Sequence, residues 1–152
     1  MINKIKGFFN SLLDQNDTAN ADDHKLAISA LLCEVSNGDH NIGKEEEAVI
    51  ESTLSKLLLI NKSQAKDLLK AGKERIESSN SLYDFTSQLR ALNYETRSKL
   101  IKAMWEVAYA DNYLDPIEEH IIRKVSDLIY VNHSEFIRTK LSVVDSLPKA
   151  VI

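Results

Sequence analysis

The chain has 152 residues, enough for one domain with a real core, and its hydrophobic (43%) and charged (28%) fractions are those of an ordinary soluble protein. A net charge of −4 argues against a dedicated nucleic-acid binder, and no apolar run approaches the ~18 residues that suggest a membrane span. The lone Cys33 excludes an intramolecular disulfide framework and a dithiol redox centre.

The first stretch, MINKIKGFFNSLL, has apolar residues at Ile2, Ile5, Phe8, Phe9, Leu12 and Leu13, which is helical spacing. Asn10 and Ser11 interrupt it, and Asp14 and Asp17 follow, so it does not read as a signal peptide. Residues 1–21 are therefore expected to form an amphipathic helix and linker packed on the body of a cytoplasmic protein. Peripheral membrane contact through residues 2–13 is the alternative, although Lys4 and Lys6 add only modest charge.

After Asp22–Asp23, apolar residues recur at spacings of three and four. Leu26, Ala27, Ala30, Leu31 and Val35 mark one helix. Cys33 lies inside this apolar stretch and is expected to be a buried, inert thiol. Val49, Ile50, Leu54, Leu57 and Leu58 mark the next helix, and Leu68, Leu69 and Ile76 a third with a less regular stripe. Leu82, Phe85, Leu89 and Leu92 mark a short one. Leu100, Ile101, Met104, Trp105 and Ala108 mark another, with Met104 and Trp105 expected in the core. Ile121, Ile122, Val125, Leu128 and Ile129 mark one more, and Phe136, Ile137 and Leu141 the last.

Four helix starts have the form of a capping box, a short polar residue followed three later by an acid or amide. They are Asn61…Gln64, Ser81…Asp84, Asp115…Glu118 and Asn132…Glu135. Pro116 falls at a first helical position, where its missing N–H costs nothing. The expectation is an all-α protein of about eight helices in one compact bundle, with the domain at 22–145 and a tail at 146–152. His24, His40, His120 and His133 lie in scattered polar settings and read as surface or cap residues.

Residues 34–51 can be laid over 106–123 without a gap. Asp39 then meets Asp111, and Glu46–Glu47 meets Glu118–Glu119. One residue dropped brings Asn61–Gln64 onto Asn132–Glu135. Each copy reads helix, acidic turn, helix, capped turn, helix. Two such units packed on one another bury apolar faces that one alone cannot, which predicts a pseudo-twofold bundle.

The segment EVAYADNYLDPIEEHIIRKVSDLIYV, with its weaker copy EVSNGDHNIGKEEEAVI, resembles the TerB tellurite-resistance family. It is similar as well to the related domain at the front of some membrane-anchored J-domain co-chaperones. The family's mark is an apolar helix ending in Ala-Asp-Gly, a short variable stretch, then paired acids opening the next helix. Ala110–Asp111 and Glu118–Glu119 fit it, as do Gly38–Asp39 and Glu46–Glu47 more weakly, while Asn112 stands where Gly is usual. The likeness covers residues 22–145. It implies an all-helical domain with internal pseudo-symmetry, a place in a stress response, and divalent metal held by these acids. The His-Pro-Asp signature of a J domain is absent, so the co-chaperone role does not carry over.

The candidate metal residues are Asp39, Glu46, Glu47, Asp111, Asp115, Glu118 and Glu119. Hard oxygen donors at this density suit Mg²⁺, Ca²⁺ or Mn²⁺. An EF-hand is excluded, because counting from Asp111 puts Pro116 at the glycine position and Ile122 at the bidentate-glutamate position. Asp115, Pro116 and Glu118 are explained as a helix start, whereas Asp111 and Glu119, echoed by Asp39 and Glu47, have no full capping role and are the sharper candidates. Di-iron and zinc-protease spacings are missing, as are a nucleophile elbow and a phosphate loop. Acids at 39–51, and bases at 62–75 and 90–102, supply charged helix faces for a protein partner. The leading expectation is a non-enzymatic binding or scaffold module. The alternatives are a metal-dependent hydrolase using the same acids and a peripheral membrane module.

Overall fold

Seven α-helices and no strand make up the described residues, which are 18–36, 42–78 and 81–147 of a computed structural model. In chain order they are α1 (Thr18–Ser36), α2 (Lys44–Leu58), α3 (Lys62–Ser78), α4 (Tyr83–Leu89), α5 (Tyr94–Ala108), α6 (Pro116–Leu128) and α7 (His133–Ser146). The expected helix at residues 2–13, the eighth, lies outside the described residues. None of the described helices is long and apolar enough to cross a membrane. α1 begins ahead of Asp22–Asp23, where Ala19 and Ala21 favour helix and Ala21 is already buried.

The helix starts follow local side-chain chemistry. Asn61 Oδ1 accepts from Gln64 N at 2.8 Å while Gln64 Oε1 accepts from Asn61 N at 3.0 Å, a complete reciprocal box. Asp115 and Glu118 form another. At α7 only half of the expected box is made: Asn132 Oδ1 accepts from Glu135 N, but the Glu135 carboxylate turns to Ser98 and Arg138. At the start of α4 the Ser81 hydroxyl accepts from Tyr83 N, one residue earlier than the box position. α5 has a cap at Asn93, whose Oδ1 accepts from Thr96 N at 2.8 Å.

α2 and α6 end alike. Leu59 (φ 51°) and Tyr130 (φ 59°) adopt the left-handed conformation, and the next residues' N–H groups reach back to Ser55 O and Ser126 O. Such an end satisfies helix carbonyls that would otherwise lack donors, and glycine is its usual occupant. Two arginines complete the end of α6. Arg90 Nε donates to Leu128 O at 2.8 Å, and Arg97 Nη1 donates to Ile129 O at 2.8 Å and Tyr130 O at 3.2 Å. Positive charge is favoured at this helix end.

The core runs through every helix. Trp105, Met104, Leu31, Leu32, Ile50, Leu54, Phe85, Ile101 and Phe136 are buried, and the Trp105 and Phe136 ring centroids are 5.1 Å apart. α1 packs on α3 and α5, and α5 packs on α7. α1 and α3 approach closely at Gly72, where an added Cβ would stand 2.4 Å from Ser29 Oγ and 3.0 Å from the Ser29 carbonyl carbon. Cys33 is fully buried and its thiol is pushed up to about 12 by the loss of water.

One histidine departs from expectation. His24 is 6% exposed, and burial lowers its pKa against a hydrogen bond with the Gln88 backbone. It meets Gln88 of α4, some sixty residues along the chain, and also feels the charge of its neighbour Asp23. His120 and His133 are exposed, and His40 lies outside the described residues.

Candidate functional site

The turn between α5 and α6 is built by two aspartates. Asp111 Oδ1 accepts from Tyr113 N at 3.1 Å, closing its own turn. Asn112 follows at φ 64°, a left-handed conformation that Gly or Asn occupies with little cost. Asp115 Oδ1 then accepts from Ile117 N at 2.7 Å and starts α6.

This turn faces the first turn of α2 across a cavity of about 450 Å³. Glu46 from α2, Asp111 and Asp115 from the turn, and Glu118 from α6 all line it. Lys44 and Glu45 join the lining, and Val49, Val107 and Ala108 give it apolar wall. Acids from both halves of the sequence thus share one space of small-molecule size.

The electrostatic consequence falls on Glu118. Its carboxyl is pushed up to about 7, first by burial and then by the negative charges of Asp111, Asp115 and Glu46. The hydrogen bond that Glu118 Oε1 accepts from Asp115 N at 3.3 Å opposes the shift. A carboxyl whose folded pKa is raised favours the fold below its unfolded value, near 4.5, and loses that contribution as pH rises through 7. Glu118→Gln keeps the cap acceptor and removes the charge. It is expected to raise stability by about 1 kcal/mol at pH 8, after discounting for solvent screening, and to make no difference at pH 4. Urea unfolding at the two pH values reads this directly; an equal effect at both would assign the change to packing.

The paired acids divide in the same way in both halves. Glu46 and Glu118 line the cavity, while their neighbours take structural ion pairs. Glu47 Oε1 meets Lys73 Nζ of α3 at 3.0 Å, and Glu119 Oε1 meets Arg123 at 3.2 Å and Lys140 of α7 at 3.7 Å. The helical step of ~100° per residue separates such neighbours onto different faces. Glu47 lies instead on a second cavity of about 410 Å³ between α2 and α3, whose walls carry both signs of charge. Asp39 lies outside the described residues. Among the described residues no three His, Cys, Asp or Glu side chains are close enough to form a ready-made ion cage. The sequence pattern placed Val49 and Ala108 only on helix stripes and assigned neither these nor Val107 and Tyr113 to the site, because it marks charges but not the space between helices.

The basic stretch 90–102 is spent partly inside the molecule. Arg90 and Arg97 serve the end of α6, and Lys99 pairs with Glu95 at 3.6 Å. A family model described as "Tellurite resistance protein TerB" matches residues 25–141. No curated protein and no solved structure matches the chain.

Proposed function

The chain belongs to the tellurite-resistance TerB family, and from that premise we propose that it is a non-enzymatic binding module of a stress response, working in the cytoplasm, whose acidic cavity takes a divalent cation. The observation that carries this reading is the convergence of Glu46, Asp111, Asp115 and Glu118 on one cavity. Four hard oxygen donors fit Mg²⁺, Ca²⁺ or Mn²⁺ by chemistry. Because the described acids do not form a closed cage, the fitting cation is one that keeps part of its water shell, as Mg²⁺ does. A bound cation would neutralise the repulsion that adds to burial in raising Glu118, and would join α2 to the start of α6.

The two halves are read as a pseudo-twofold repeat. Several features support this. Leu59 and Tyr130 are both left-handed at matched helix ends, the acid pairs divide alike, and α1 lies on α3 as α5 lies on α7. In that arrangement each half contributes acids to the shared cavity, and the exposed charged helix faces remain for a protein partner.

Calorimetric titration with Mg²⁺, Ca²⁺ and Mn²⁺ is the test. Wild-type protein is expected to bind with release of about one proton or less per site near pH 7, taken from Glu118. Asp111→Asn is expected to weaken binding at least ~10-fold. Identical titrations of wild type and Asp111→Asn would end the cation reading. One observation also favours a second function: a carboxyl near 7 in a cavity suits general acid–base work, so a metal-dependent hydrolase is the alternative. That alternative needs turnover that Glu118→Gln abolishes.

A further inference from the structure

At the opposite end of α6 from the acidic cavity, Arg90 is held between two tyrosines. Its Cζ lies 5.1 Å from the ring centroid of Tyr83 and 4.9 Å from that of Tyr130. Its Nε is fixed by the Leu128 carbonyl at 2.8 Å. Among the described residues, its two terminal amino groups donate to no acceptor. The walls stand in water, with Tyr83 51% and Tyr130 62% exposed.

Tyr130 is an expensive residue for its position. At φ 59° a glycine would close the same helix end without the ~1 kcal/mol or more that an L side chain costs there. A mostly exposed ring recovers little of that by burial. What the ring does contact is the Arg90 guanidinium.

We propose that Arg90, walled by Tyr83 and Tyr130, is a docking point for a single carboxylate side chain presented by an otherwise uncharged segment of a partner protein. The two terminal amino groups of a guanidinium offer paired N–H donors matched to the two oxygens of a carboxylate, and Arg90 is only half-buried. Its orientation is already fixed by Leu128 and the two rings, so little side-chain freedom is lost on binding. The rings give apolar contact to the methylenes of Asp or Glu, and tyrosine with arginine is the pairing that dominates binding hot spots. Charge selects a carboxylate over a phosphate. The exposed Asp84 and Asp127 adjoin the pocket in sequence, and the whole chain carries −4, so a dianion or a nucleic-acid backbone is opposed while a single charge is accepted. This surface does not depend on the cation reading of the acidic cavity.

The test is an NMR titration of the full ¹⁵N-labelled chain with four probes: acetyl-Gly-Glu-Gly amide, its Gly-Gln-Gly twin, inorganic phosphate, and the protein's own dilution series. The glutamate peptide is expected to shift the Arg90 Nε–H signal and the Tyr130 amide, with a response that weakens as salt rises. Tyr130→Gly, at a backbone angle glycine prefers, is expected to keep the fold and weaken the peptide about fivefold. Four results would overturn the proposal: no shift at millimolar peptide; an equal response to the glutamine twin or to phosphate; unchanged affinity in a folded Tyr130→Gly; or the same shifts on concentrating the protein alone, which would make a second copy of the chain the occupant.

Discussion

Gly72→Val is expected to lower stability by about 3 kcal/mol or more, and the melting temperature by roughly 6–12 °C. The loss comes from the crossing of α1 and α3. A Cβ at residue 72 meets Ser29 Oγ at 2.4 Å, Ser29 C at 3.0 Å and Ala30 N at 3.1 Å. Ser29 Oγ has little freedom to retreat, because it donates to Leu68 O at 2.8 Å. Two of the three contacts are backbone, so the helices themselves must part. Gly72→Ala brings the same Cβ but gains ~1 kcal/mol of helix propensity, so its net cost is expected near 2 kcal/mol. Adding Ser29→Ala should return part of this loss, since it removes the nearest atom but not the backbone. Thermal and urea unfolding of the three variants check the order. A wild-type melting temperature in Gly72→Val would mean that α1 and α3 do not cross this closely.

Arg97→Met is expected to cost about 3 kcal/mol. The methionine keeps most of the aliphatic stem and loses every donor. Arg97 Nε donates to Leu92 O at 2.9 Å, and Nη1 serves the carbonyls of Ile129 and Tyr130. Hydrogen bonds from a charged donor are worth ~1.5–3 kcal/mol each when their loss strands the acceptor, and partial access of water reduces the sum. Lys102→Met, an exposed change on the same helix, is the control and should stay within ~0.5 kcal/mol of wild type. If the two methionine variants unfold at the same urea concentration, water serves the carbonyls and the arginine is a bystander.

The helices were legible in the sequence because their signals are local. Apolar spacing of three and four placed every described element, and Asn61, Asp115 and Asn132 cap where their side chains predicted. Asn93 was missed because Thr96, not an acid, stands three residues on; one accepted hydrogen bond suffices to cap, and the box is only its stronger form. What sequence could not supply is non-local. His24 meets Gln88 on α4. Arg90 and Arg97 read as part of a basic face; that they also hold the end of α6, more than thirty residues away, was not readable.

The acidic site was half legible for the same reason. Density of carboxylates on the two turns singled out seven residues, and four of them line one cavity. Which acid of each pair faces inward was not readable. Glu119 and Glu47 stood out because capping left them unexplained, yet Lys140 and Lys73 explain them from another helix. Glu118 had a local role, and that role did not prevent a second one: the side chain that closes the capping box also feels Asp111, Asp115 and Glu46. A residue accounted for by secondary structure is therefore not thereby removed from the site.

The burial of Cys33 has a practical consequence. It is the chain's one thiol, it has no exposure, and it is pushed up to about 12. At neutral pH only ~1 in 100,000 of such groups is thiolate, the form that reacts with maleimides and disulfides. The folded wild-type chain is thus already silent to thiol labelling. A single cysteine introduced on an exposed face, at Tyr113 beside the acidic cavity or at Tyr83 beside Arg90, would carry a fluorophore at one defined place without first removing the native residue.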